Sequence, residues 1–229
     1  GPDLKIEVPV IDFAQGKNQE LEMISKKLTG LAAIAGLFFL GTASAQTIVG
    51  TDHDLSNGQG TGGEICVVCH TPHNADISVA EAPLWNHAVT TADFTVYSSP
   101  TFDGGPSGQP GGASRLCLSC HDGTVALDAF GGGAGTGGNV IGGGALIGTD
   151  LSDDHPISFT YDSALATSDG GLADPATANS GLGGTIDADM LFAGNMECAS
   201  CHDVHDSTIE PFLRVSNAAS AMCLTCHNK

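Results

Sequence analysis

The sequence has little positive charge. It contains 7 Lys and Arg residues against 26 Asp and Glu residues, which gives a formal net charge of −19. A chain this acidic does not offer the basic surface that binds nucleic acid or an anionic membrane. We therefore expect no nucleic-acid partner. The acidic surface favours solubility and could bind cationic partners.

Aromatic residues and the motifs of several enzyme classes are also scarce or missing. Aromatic side chains make up 5% of the chain, while glycine occurs 32 times. Few long amphipathic periods appear, so the sequence does not predict a large helical core. It also contains no Ser/His/Asp set, no P-loop and no dinucleotide-binding fingerprint.

No cysteine occurs outside one short pattern, Cys-x-x-Cys-His, which is present four times. The four copies, called the first to fourth motifs, are Cys66-Val-Val-Cys69-His70, Cys117-Leu-Ser-Cys120-His121, Cys198-Ala-Ser-Cys201-His202 and Cys223-Leu-Thr-Cys226-His227. They use all eight cysteines of the chain. A zinc site or a thioredoxin-like pair explains two cysteines, but neither explains a histidine after every second one.

The pattern is the attachment signature of c-type haem. Each thiol adds to one vinyl group of the porphyrin, so the two sulfurs must lie about one helical turn apart. The histidine that follows then binds the iron as the proximal ligand. The sequence therefore predicts four covalently attached haem c groups, with His70, His121, His202 and His227 as proximal ligands.

The N-terminal region resembles a leader. Residues 23–45 combine a short basic start, an apolar run over residues 28–41 and the small-residue site Ala43-Ser44-Ala45. This order is typical of a secretory signal peptide cut after Ala45. We expect residues 1–22 to be an upstream extension from a misassigned start. Residues 46–229 are then a single domain, with three basic and 21 acidic residues and a formal charge of −18.

The density of motifs predicts the fold class. Four haems in residues 46–229 correspond to one per 46 residues, which leaves too little chain for a large apolar core of its own. We expect mostly irregular coil wrapped around stacked haems, short α or 3-10 helices at the motifs, and little or no β-sheet. The glycine-rich residues 130–154 are either a free linker or a place of close approach to a haem.

The remaining histidines are candidates for the distal side of each iron. Five are left: His53, His73, His87, His155 and His205. His73 and His205 each follow a proximal histidine by three residues and can reach a neighbouring haem, and Pro156 fixes the backbone beside His155. The fourth ligand is taken as His53, with His87 in reserve. Met190 is expected to pack in the core.

This ligand count argues against an enzyme. Bis-histidine irons have no open position for a substrate and suit electron transfer. Two alternatives stay open beside the function that the family resemblance given below implies. One is a monomeric periplasmic tetrahaem carrier, and the other is a multihaem reductase with one open haem.

Five runs of sequence resemble one family. They are residues 66–74 (CVVCHTPHN), 82–87 (APLWNH), 116–125 (LCLSCHDGTV), 198–205 (CASCHDVH) and 223–229 (CLTCHNK). These runs resemble the secreted multihaem cytochromes of metal-reducing bacteria. With four motifs, the chain is most similar to the OmcE-type subunits of extracellular cytochrome nanowires.

The resemblance implies a function, partners and a location. It implies a head-to-tail homopolymer in which His73 binds a haem of the neighbouring subunit, so that the haem chain is continuous. Electrons then pass from outer-membrane or periplasmic donor cytochromes to extracellular acceptors such as metal oxides. The expected location is the cell surface or an extracellular filament, or the periplasm for the monomeric alternative.

Overall fold

The computed structural model describes residues 48–80, 82–105 and 108–228. The chain from Gln46 to Lys229 forms one compact unit. The predictions for residues 1–22 and 23–45 lie outside the described residues and stay predictions. Within the described ranges, no helix has both the length and the apolar character needed to cross a bilayer.

The architecture is mostly coil with short regular elements. In chain order these are α1 (Gly112–His121), a 3-10 turn (Gly143–Ala145), β1 (Phe159–Thr160), α2 (Ser163–Asp169), α3 (Ile186–Met190), β2 (Asn195–Met196), α4 (Cys198–Cys201), a second 3-10 turn (Ala218–Ser220) and α5 (Ala221–Cys226). β1 and β2 pair antiparallel, with Phe159 opposite Met196. The predicted fold class, coil with short helices and almost no sheet, is confirmed.

The helix that carries the second motif begins earlier than the sequence suggests. Ser114 has the residue type of an N-cap, but α1 begins at Gly112 with Gly111 in the cap position. The hydroxyl of Ser114 instead accepts a hydrogen bond from the backbone N–H of Cys198, at 2.9 Å, and Ser114 is fully buried. This hydroxyl therefore serves a tertiary contact instead of capping the helix.

Two small apolar clusters hold α1 from opposite sides. Leu116 packs with Val79 and Trp85, while Leu118 packs with Phe94 and Leu151. Positions two apart lie about 200° apart around a helix, so the two leucines face opposite directions. The long coil segments before and after α1 are thereby fixed to it.

A third cluster forms a polypeptide core that the sequence did not predict. Its buried members are Tyr161, Ala166, Ile186, Met190, Leu191, Met196 and Cys226. The short helices α2 and α3 contribute residues to this cluster, and both have side-chain N-caps. The side chain of Asp162 accepts a hydrogen bond from the N–H of Leu165, and the side chain of Thr185 accepts one from the N–H of Ala188. Met190 packs in this cluster, as expected from sequence.

Truncation of Ile186 tests this core. Ile186 is 0% exposed, so Ile186→Ala should lower the free energy of unfolding by about 2–5 kcal/mol through lost burial and a residual cavity. Guanidinium denaturation of the haem-loaded protein measures the change. Leu182→Ala, at a position 41% exposed, is the matched control. Equal losses in both variants contradict a core centred on Ile186.

Candidate haem-binding sites

The first motif forms a tight turn rather than a helix. The N–H of His70 donates to the carbonyl of Cys66 at 2.8 Å, which brings the two cysteines and the histidine together in one turn. The chain then returns through Pro83, whose carbonyl accepts a hydrogen bond from Nδ1 of His70 at 2.6 Å.

The second motif lies at the C-terminal end of α1, and the glycine-rich segment folds back over it. The carbonyl of Ala145, in the 3-10 turn, accepts from Nδ1 of His121 at 2.7 Å. The N–H of Ile147 donates to the carbonyl of His121 at 2.8 Å. The segment is therefore not a free linker, because it orients the motif histidine. Gly123, at φ +74°, lets the chain leave α1 toward it.

The third and fourth motifs have the same local form. α4 and α5 each end at the second cysteine, and His202 and His227 follow in extended backbone conformation. Nδ1 of His202 donates to the carbonyl of Pro211 at 2.9 Å. His227 pairs by backbone with Leu172 in an isolated antiparallel bridge.

The carbonyl partners decide which ring nitrogen can bind a metal. In His70, His121 and His202 the N–H is on Nδ1, because a carbonyl oxygen can only accept. Nε2 then keeps its lone pair, and a second hydrogen bond of this kind is the usual way of fixing a ligating imidazole. The acceptors Pro83, Ala145 and Pro211 are far from their histidines in sequence and carry no motif.

Three of the motif histidines face a second imidazole. His121 lies opposite His53 with ring centroids 6.0 Å apart, His70 opposite His205 at 6.1 Å, and His227 opposite His155 at 6.3 Å. These six residues come from distant parts of the sequence. The fold therefore brings together three of the predicted distal histidines with three of the predicted proximal ones.

These distances fit iron held between two imidazoles. A metal–imidazole nitrogen bond of about 2 Å on each side places two ring centroids about 6 Å apart. Nδ1 of His155 donates to the carbonyl of Pro156 at 2.9 Å, and Nδ1 of His205 lies 3.2 Å from a carboxylate oxygen of Asp203. Both contacts leave Nε2 for a metal. The residues present thus fit a haem with two axial histidines.

His53 differs from the other two distal candidates. Its Nδ1 atom is buried and has no hydrogen-bond partner among the described residues. Burial, followed by the charge of His121, lowers the pKa of His53 and so favours its neutral form. Only a neutral imidazole has a lone pair for a metal, so this environment is compatible with the predicted ligand role.

His87 occupies a different environment. It is 1% exposed, and its two ring nitrogens lie 2.9 Å from the carbonyl of Ala88 and 3.0 Å from that of Ala126. Both nitrogens thus face backbone oxygens. The structure gives His87 a place in packing beside Cys120, whose sulfur lies 3.8 Å from Nε2.

His202 and His73 have no imidazole opposite them. Within residues 48–80, 82–105 and 108–228, no ring contact joins either residue to another histidine. His73 is exposed on the loop after the first motif, where Nδ1 lies 3.4 Å from the side-chain nitrogen of Asn74.

Cysteines of successive motifs lie close enough to influence one another. Burial, and then the charge of Cys69, raises the pKa of Cys120 to about 12. A side-chain hydrogen bond to Cys198 raises the pKa of Cys117 well above its ordinary value. Burial raises the pKa of Cys226 to about 11, and the charge of Cys201 adds to this shift. The first motif thus lies next to the second, the second next to the third, and the third next to the fourth.

Glu197 connects the second and third motifs. The carboxylate oxygen Oε2 accepts from the N–H of Ser114 at 3.2 Å and from the hydroxyl of Ser158 at 2.9 Å. The backbone N–H of Glu197 donates to the hydroxyl of Ser200 at 2.9 Å. Nothing in the sequence pattern singled out this glutamate, which precedes a motif cysteine like any other polar neighbour.

Comparison with protein families supports the assignment of these sites. The family model described as a doubled CXXCH motif matches residues 191–229, which contain the third and fourth motifs. This match indicates a multihaem c-type cytochrome. Such motifs bind haem c covalently, and haem c is suited to electron transfer. Comparison of this cytochrome with curated proteins finds no match.

The buried carboxyl gives a pH-dependent prediction. Burial raises the pKa of Glu197 above its ordinary value, although the hydrogen bonds from Ser114 and Ser158 oppose the shift. When the pKa of Glu197 is higher in the folded state than in the unfolded state, the protonated carboxyl contributes stability at low pH. This contribution is lost as the pH rises through the folded-state pKa. Between about pH 4 and pH 8, the cytochrome should therefore lose stability relative to Glu197→Gln.

Denaturation midpoints of the haem-loaded proteins across this range measure the effect. Asp54→Asn is a control of opposite sign, because the hydrogen bond from the Ser56 side chain lowers the pKa of Asp54. As the pH rises toward about 4, the wild type should gain stability relative to Asp54→Asn, and above about pH 4 the difference between these two proteins should stay constant. A constant difference between wild type and Glu197→Gln contradicts the prediction.

Proposed function

We propose that this cytochrome carries four haems, each iron held by two histidines, and that it polymerises head-to-tail into an extracellular electron-conducting filament. One observation carries the proposal. Three motif histidines face a second imidazole at 6.0–6.3 Å, while His202 does not, and the remaining candidate ligand, His73, is exposed. A second copy of the chain could therefore supply the missing ligand through His73.

Within one chain, the histidines have the following roles. His53, His205 and His155 bind the irons that His121, His70 and His227 hold from the other side. The carbonyls of Pro83, Ala145 and Pro211 keep three proximal rings in orientation. Bound haem iron supplies one-electron chemistry by alternating between its ferric and ferrous states. The protein's task is to hold the haems in sequence and to fill both axial positions.

Between chains, His73 of one copy binds the iron held by His202 of the next. The two residues belong to different surfaces of the same chain, so the contact is heterologous and repeats without closing, which produces a fibre. A coordination bond across the contact also fixes the order and orientation of the subunits. The haem chain then continues from copy to copy.

The order of the motifs supports a linear path. The cysteine neighbours run from the first motif to the fourth in chain order, by way of Cys69 with Cys120, Cys117 with Cys198, and Cys201 with Cys226. Electrons would enter from donor cytochromes of the periplasm or outer membrane and leave to external acceptors such as metal oxides. The acidic surface is suited to cationic acceptors.

The absence of an imidazole facing His202 in the described residues also favours a second candidate. This candidate is a reductase with an open haem at the third motif. In that case the sixth position binds a small substrate such as nitrite or hydroxylamine, and His73 has no role in ligation. A monomeric periplasmic carrier requires instead that His73, or another group, closes this position within one chain.

His73→Ala tests the three functions. In the filament, the variant should keep four haems by pigment analysis, lose its fibres in negative-stain microscopy, and show one high-spin haem in the ferric spectrum. The wild type should be low-spin throughout, because every iron has two imidazoles. A wild type with a high-spin haem that binds nitrite supports the reductase, and fibres of normal length from His73→Ala contradict the filament.

His205→Ala is the matched control, since His205 occupies the same place after the third motif that His73 occupies after the first. It should also produce one high-spin haem, at the first motif. It should keep its fibres, because the facing pair with His70 lies within one chain. Loss of fibres in both variants means that His73 has no special role between subunits.

A further inference from the structure

Positive charge is rare in this protein, and one of its cations lies beside a motif. Of the seven Lys and Arg residues in the sequence, Arg115 and Arg214 are the two within the described residues. Any charge near a haem changes the free energy of adding an electron to it. The position of these two guanidinium groups is therefore informative.

The backbone holds Arg214 directly across from the third motif. The N–H of Arg214 donates to the carbonyl of Cys201 at 2.9 Å. His202 pairs with Leu213 in an antiparallel bridge, and the N–H of Asp203 donates to the carbonyl of Phe212 at 2.8 Å. In an antiparallel pair, residues directly opposite one another project to the same face. Only His202 and Leu213 form such a pair here, and Arg214 lies next to it, across from the last residue of α4.

The guanidinium itself is fixed and partly buried. A terminal nitrogen of Arg214 donates to the carbonyl of Asp189 at 2.8 Å. The Nε atom is buried and has no hydrogen-bond partner in the described part of the chain. A charge held away from water is less screened than a surface charge, so its field reaches further.

Arg214 therefore connects the third motif, through its backbone N–H, to Asp189 of α3, through its guanidinium. The carboxylate of Asp189 compensates part of this charge, but it already accepts from Ser180 and Gly184.

We propose that Arg214 tunes the haem of the third motif and makes it easier to reduce. Reduction adds one electron to the iron, from ferric to ferrous, with no bond made or broken, and the added negative charge is stabilised by a nearby cation. The proposal rests on the proposed function in that this haem transfers electrons. It gives the haem that faces the next subunit a higher potential than its ligands alone would set.

Arg115 offers a matched comparison. Its guanidinium also donates to a backbone carbonyl, that of Thr90, at 2.9 Å, and it is also partly buried. It belongs to α1, two residues before Cys117, and lies about 200° around the helix from it. Removal of this charge should leave the haem potentials unchanged.

Potentiometric titration of the purified haem-loaded protein, followed by visible absorption, tests the proposal. Arg214→Gln should make one of the four one-electron steps about tenfold less favourable, which is about 59 mV for a one-electron couple. Arg214→Lys keeps the charge and should retain most of the wild-type potential, and Arg115→Gln should leave all four steps in place. Haem content by pigment analysis shows that each variant is fully loaded.

The His73→Ala background assigns the haem that shifts. There the third haem should be the high-spin one, so its own absorption band should titrate at a lower potential when Arg214→Gln is added. No shifted step, an equal shift in Arg115→Gln, or a shift confined to low-spin haems overturns the proposal. If His73→Ala shows no high-spin haem, the proposed filament function is contradicted. The four-step titration still tests the role of Arg214 in that case.

Discussion

The hydrogen bond from a motif histidine to a distant backbone carbonyl is the interaction on which the rest of the site depends. Without this hydrogen bond, the imidazole of a motif histidine at the end of its helix or turn can rotate and change tautomer. With Nδ1 committed to Pro83, Ala145 or Pro211, the metal-binding nitrogen has one direction. Because each carbonyl lies outside the α-helices, in coil or in a 3-10 turn, the segment that carries it must keep its path. This requirement gives long stretches of irregular chain a defined structure.

The facing histidines explain why these segments cross one another. His53 precedes the first motif but faces the second, and His205 follows the third motif but faces the first. Each pair closes a long loop, so a metal bound between its two members would connect regions far apart in sequence. Such connections stabilise a chain that has little apolar core. The small cluster around Tyr161 and Ile186 supports only the segments beside the third and fourth motifs, through Met196 and Cys226.

The junction between the second and third motifs shows how polar groups replace apolar packing. Ser114, Ser158 and Ser200 surround Glu197, which is 4% exposed. The hydrogen bonds from Ser114 and Ser158 satisfy a buried carboxyl that would otherwise be costly, and they join α1 to the residue before α4. The Ser200 hydroxyl accepts from the backbone N–H of Glu197. Hydrogen bonds therefore hold these two motif helices together.

The sequence by itself determined four attachment motifs and a fold of coil with short helices, because covalent attachment demands fixed local spacing, and it predicts the histidine of each motif as the proximal ligand. It could not determine which histidine faces which. His53 and His87 look alike as polar residues in coil, yet the first faces His121 and the second is buried between carbonyls. Ser114 looked like a helix cap but serves Cys198. These outcomes depend on contacts between residues far apart in the chain, and only the tertiary structure brings such residues together.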